Sequence, residues 1–335
     1  MRGRSLRRAA QGIIVRFPTW ATNRILVRAA GTLFSILAIV ACALVARRLT
    51  STTWPLERTR FDLVASAACA YLASFVFRAL GWQRLFPVGE RPDRSRCLAA
   101  CGAAAASGVV LPFRLDYIVK ISTLNRLGGV RLGLEVITVS IVTLGLVDAV
   151  AMLPLATAAL VTSGSVFRAP LIVVLLFCLG CVSVLLAGKR VVRLRLISRS
   201  RRLAAICARV SEGTFSRSTF AAGGFLLGCW LMRALGNTLL LAALGVGFSP
   251  TFALVILCMS AAASILPITA GGAIAGVGAT SVVLVALGVA GKQAVNFSLA
   301  AGLLLTTSAL VAATAGVAGS LLLTFRRRHN GVAVG

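Results

Sequence analysis

The stretch SILPITAGGAIAGVGATSVVLVALGV (Ser264–Val289) runs apolar to a leucine–proline step, passes Thr269-Ala270-Gly271-Gly272, and resumes as a second apolar run. Proline has no amide donor and disfavours helix in the residue before it, so a helix arriving here must end. Each half is shorter than the ~20 residues that a helix needs to cross a bilayer. Freed backbone groups at membrane depth are tolerated only where they are buried in protein or line a polar cavity. The break therefore has two readings. In one, amides at the start of the second half, near Ala273, face an anionic ligand, and the glycines at 271, 272, 276 and 278 let it approach the backbone. In the other, Gly272-x-x-x-Gly276 is a helix-packing face.

The remainder of the sequence decides the setting. Of 335 residues, 59% are hydrophobic and 13% charged, against roughly a quarter charged in an ordinary globular domain. Apolar runs long enough to span recur along the chain, which predicts an all-α polytopic transmembrane bundle. Lysine and arginine number 35 against 8 acids, a net charge of +27. Nucleic acid is not the partner this implies, because the bases cluster in loops and tails beside apolar spans, where positive-inside bias and anionic lipid account for them. The nine cysteines lie mostly in apolar runs. Cys178-x-x-Cys181 has no second pair, and the single histidine, His329, is in the tail. Neither a metal nor a cofactor is expected, and the cysteines read as small buried side chains.

A basic leader, 1–28, precedes a membrane domain, 29–325, and a short tail, 326–335. Full spans are read at 29–46, 61–80, 132–160, 169–188, 219–244 and 295–325. Interrupted or re-entrant segments are read at 97–127 and 251–290. The leader, the 189–217 loop and the tail are strongly basic, which places both termini in the cytoplasm of a multi-pass protein of the cell (inner) membrane. Loop 47–60, with Arg47, Arg48, Arg58 and Arg60, falls on the outer side and runs against that rule. The two interrupted segments resemble each other: AAASGVVLP (Ala104–Pro112) parallels AAASILP (Ala261–Pro267). Paired interrupted segments point to inverted repeats around a transport site; the chance alternative is that Ala, Leu, Val and Gly dominate this chain.

Three intramembrane polar residues stand out. Asp148 and Arg233 sit mid-span, where a lipid-facing charge costs about 2.5–3.5 kcal/mol on insertion scales. Asn237 lies one turn after Arg233. They read either as a coupling or substrate pair or as structural contacts. Head-group binding is assigned to Arg114, Lys120 and Arg126 with the amides around Gly271 and Gly272. A guanidinium grips phosphate bidentately, whereas lysine offers a point charge. Lys120 has a second reading, an i,i+4 brace with Asp116, and Arg126 has one as an interfacial anchor. Acid–base candidates are few (Asp116, Glu135 and Asp148), no carboxylates pair at helical spacing, and no nucleotide-binding loop is visible.

LPFRLDYIVKISTLNRLGG (Leu111–Gly129) resembles the first signature of the lysylphosphatidylglycerol synthase transmembrane-region family, flippase-like membrane domains related to the N-terminal half of the bacterial multiple peptide resistance factor. Leu111, Pro112, Arg114, Val119, Lys120, Arg126, Gly128 and Gly129 match it. The opening stretch resembles the second signature through Leu266, Pro267, Gly271, Gly272, Gly288 and Val289. The family's acids are replaced by Tyr117 and Val277, and its E-R-x-x-D reads Leu144-Gly145-Leu146-Val147-Asp148 here. The resemblance spans roughly 30–325. It implies a protein that binds and flips a membrane lipid, anionic or glycosylated, or alternatively a membrane enzyme or accessory subunit of a glycosyltransferase system. No soluble aminoacyl-transfer domain follows residue 325, so lipid aminoacylation is expected to be absent.

Overall fold

The computed structural model describes residues 60–109, 111, 115–127, 132–191, 216–265 and 272–332, all within one unit, Thr59–Gly335. The leader, the 29–46 span, Arg114, Gly271 and most of loop 189–217 lie outside the described residues. Among those described, nine α-helices follow in order: α1 Phe61–Arg84, α2 Arg94–Gly108, α3 Asp116–Arg126, α4 Leu134–Thr162, α5 Arg168–Val191, α6 Arg217–Ala243, α7 Pro250–Ile265, α8 Gly272–Ala286 and α9 Gly291–Val332. Helices α1, α4, α6 and α9, and α5 with its preceding turn from Ser165, are long and apolar enough to cross a membrane. They coincide with the five spans read downstream of residue 60.

In both interrupted segments the leucine–proline step falls between the described helices. Helix α2 stops at Gly108 and α3 starts at Asp116; α7 stops at Ile265 and α8 starts at Gly272. None of these four exceeds about 24 Å in length, less than the ~30 Å hydrocarbon layer. Helix α8 ends as the sequence dictates. Gly288 takes φ 87°, and Val289 donates to the Leu284 carbonyl at 3.0 Å while Gly288 donates to Val285 at 2.9 Å. This is a Schellman cap, and it explains why Gly-Val closes the segment. Helix α6 begins on Ser216, whose hydroxyl accepts from the Thr219 amide at 3.2 Å, a standard N-cap.

Helix α1 packs along α6, with Gly81 against Leu226, Gly228 against Phe77 and Gly236 against Tyr71. Helix α2 packs along α9 more closely still. A β-carbon on Gly102 would sit 2.5 Å from the Ala309 carbonyl, and one on Gly316 2.3 Å from the Ala99 amide. The core of the bundle is filled by Trp82, Phe86, Ile137, Leu171, Leu226, Leu284 and Phe297, all buried.

The basic ends gather on one side. The Ser218 hydroxyl, at the start of α6, donates to the Arg84 carbonyl at the end of α1. Arg91 donates to Ser218 at 3.1 Å. Ser95, at the start of α2, lies against Gly316 and Gly319 in the C-terminal half of α9. The entries to α2 and α6 and the exit of α1 thus share a basic face, with the C-terminal half of α9 packed against the start of α2.

Candidate functional site

A cavity of about 350 Å³ opens inside the bundle, within the ~300–1,000 Å³ usual for ligand sites. Both interrupted segments reach it: Gly108 and Val109 at the end of α2, Ser260 and Ala261 on α7, and Thr280 on α8. Tyr71 of α1, Arg233 and Asn237 of α6, and Phe297 and Ser298 of α9 complete much of the wall. Arg233 lies about 24 Å along α6 from Arg217, so the cavity sits well away from the basic face. The lining is mainly apolar with a few convergent polar groups.

Those groups are fixed by the helices that carry them. The Tyr71 hydroxyl donates to Asn237 Oδ1 at 2.5 Å, across α1 and α6. Asn237 is 7% exposed, and its amide nitrogen stays available to a ligand. Ser260 and Thr280 hydroxyls lie 3.4 Å apart, joining α7 to α8, and Ser281 donates to Ser298 at 2.9 Å. Arg233 is different. Its guanidinium lies 5.7 Å from the Phe75 ring and 5.4 Å from the Trp230 ring, but it forms no ion pair among the described residues. Its Nε is buried without a hydrogen-bond partner.

Asp148 does not pair with Arg233. Its Oδ2 accepts from Arg78 at 2.8 Å and its Oδ1 from the Trp230 indole at 2.9 Å. One carboxylate therefore ties α1, α4 and α6 together, with both oxygens occupied. Arg78 was legible as a charge inside the 61–80 span but was not singled out. Trp230 then joins the two groups, since its nitrogen serves Asp148 while its ring faces Arg233.

Lys120 is placed away from the expected brace: no ion pair joins it to Asp116. It is 5% exposed, with Nζ 4.1 Å from the Trp82 ring centre, while Trp82 Nε1 donates to Ser140 at 3.1 Å. A cation–π contact is worth about 0.5–2 kcal/mol, less than the several kcal/mol of burying an unpaired ion. Lys120→Met is accordingly expected to leave the purified protein at least as thermostable as the parent. A melting temperature several degrees lower would show that Lys120 supports the fold. Asp116, half-buried, lies beside Gly108 at the cavity's edge. Arg126 is exposed at the end of α3. Arg114 and Gly271 lie outside the described residues, and Gly272 is the first residue of α8. Glu135 is exposed in the first turn of α4. No cluster of three potential metal ligands occurs among the described residues.

A family model described as the lysylphosphatidylglycerol synthase TM region matches residues 24–313. No curated protein and no solved structure matches the chain.

Proposed function

The chain belongs to the lysylphosphatidylglycerol synthase TM-region family, whose members are membrane proteins linked to lipid handling, and from that premise we propose that it binds a membrane lipid, anionic or glycosylated, by its head group and flips it across the bilayer. The observation that carries this reading is the cavity itself. Two interrupted segments and three spans line a polar-tipped apolar chamber whose guanidinium has no carboxylate partner among the described residues. The hydroxyls and amide around Arg233 suit a head group, and the apolar wall suits the adjoining glycerol and acyl carbons. Movement is supported by a run of contacting polar and aromatic side chains leading toward the basic face: Arg233 to Trp230, Trp230 to Asp148, and Asp148 to Arg78. Arg78 and Trp82 are one turn apart on α1, and Trp82 carries Lys120.

In this proposal the basic face is cytoplasmic, and both termini lie on that side of the cell membrane. The acid–base candidates favour binding over chemistry, because Asp148 has both oxygens engaged. The test is a proteoliposome assay with head-group-labelled lipids and a membrane-impermeant quencher. The parent protein should expose inner-leaflet label far faster than protein-free vesicles do, and Arg233→Gln should slow it about tenfold or more, the worth of a charged hydrogen bond. Parent vesicles no faster than empty ones would remove the flippase reading.

A further inference from the structure

Resting on the lipid-binding reading above, we infer that the cavity selects a phosphate head group of net negative charge, one without an appended ammonium. Arg84, Arg91 and the Asp93–Arg96 pair lie at the basic face. The other described charges withdrawn into the bundle are Arg78, Lys120 and Arg233 against Asp116 and Asp148. That leaves one positive charge in excess. Asp148 is committed to Arg78 at 2.8 Å, and Asp116 forms no ion pair with Arg233 or Lys120 among the described residues. Arg233 is left with two aromatic faces, which stabilise a cation far less than an anion does.

The chemistry of the wall narrows the ligand. Arg233 offers unused donors, including a buried Nε, in a planar fork that matches two phosphate oxygens. Asn237 turns its oxygen toward the Tyr71 hydroxyl, which leaves its amide N–H donors for a ligand. A neutral glycosylated head group would engage hydroxyls and amide but leave the guanidinium uncompensated. A head group carrying phosphate plus a lysyl ammonium would bring a second cation to a lining that contains no carboxylate among the described residues. Asp116, at the edge beside Gly108, is the group that could receive it, so the test includes it.

The experiment is equilibrium binding by the purified full chain in detergent. The competitors share acyl chains and displace a fluorescent phosphatidylglycerol: phosphatidylglycerol, its lysyl ester and a monoglucosyl diacylglycerol. Phosphatidylglycerol is expected to bind about tenfold or more tightly than either competitor, a margin set by one charge-assisted contact. Arg233→Gln should erase that preference, and Arg233→Lys should restore part of it, which separates charge from loss of folding. The inference is overturned if the lysyl ester or the glycolipid binds as tightly as phosphatidylglycerol. It is overturned equally if Asp116→Asn selectively weakens the lysyl ester, or if Arg233→Gln keeps the preference. Selective binding without translocation in vesicles would instead refute the flippase reading and leave the charge selection standing. Translocation indifferent to head-group charge would do the reverse.

Discussion

Gly316→Leu is expected to prevent α9 from seating on α2 and to leave little folded protein in detergent. A β-carbon at this position would lie 2.3 Å from the Ala99 amide nitrogen and 2.6 Å from the Ser95 carbonyl. Both neighbours are backbone, so no side chain can rotate away and one helix must move bodily. Overpacking typically costs about 1–3 kcal/mol where side chains can yield; here the cost should reach the top of that range or exceed it, out of a total stability on the order of 5–15 kcal/mol. Gly102→Leu should behave alike, its β-carbon meeting Ala309 and Ala313 backbone at 2.5 Å. Two controls bracket the effect. Gly319 would meet only the Ser95 side chain, at 3.1 Å, and Gly180 would meet nothing within 4 Å. Gly319→Ala should be mild, and Gly180→Ala neutral or slightly stabilising as a helix substitution. Size-exclusion profile and thermal melting read the series. A Gly316→Leu protein that elutes and melts like the parent would refute the close α2–α9 approach.

Asp148→Ala should destabilise the bundle, with about 3–5 kcal/mol, the cost of removing one member of a fully buried ion pair, as the upper bound for this part-buried one. It leaves Arg78 charged without its partner and the Trp230 indole without an acceptor. Asp148→Asn keeps an acceptor but not the charge and should fall between the parent and the alanine variant. The informative comparison is the double variant Arg78→Met/Asp148→Leu. Replacing both ions with apolar side chains of similar volume is often neutral or stabilising, so its melting temperature should recover toward the parent value. If Asp148→Ala melts with the parent, the ion pair does not hold these three helices. If the double variant is stable yet fails in the vesicle assay, the pair belongs to the transport path as well as to the fold.

Hydropathy placed the five described spans because length and apolar content are local properties of the chain, and the two Leu-Pro steps placed the breaks because proline acts on its own backbone. The partner of each polar residue depends on how helices are rotated against one another, which no local pattern reports. Asp148 meets Arg78, 70 residues earlier, and Trp230, 82 residues later. The i,i+4 spacing of Asp116 and Lys120 permits a brace, but α3 turns Lys120 inward onto Trp82 instead. Arg233 and Asn237 were legible as polar positions in an apolar span. The cavity that gives them a use needs α1, α2, α7, α8 and α9 around them, and that assembly is visible only in the fold. The Gly-Val ending of α8 was legible as a pattern, and its cap geometry supplies the reason.

The separation of Gly102 from Gly316 also orders the protein's birth. Helix α2 leaves the ribosome more than two hundred residues before the segment that covers it, and Arg78 enters the membrane before Asp148 has been made. During that interval the small-residue groove of α2 is open to any passing helix. Arg78 meanwhile lacks the carboxylate that neutralises it in the finished fold. Completion of α9 closes the groove, so the α2–α9 contact is among the latest of the described contacts to form.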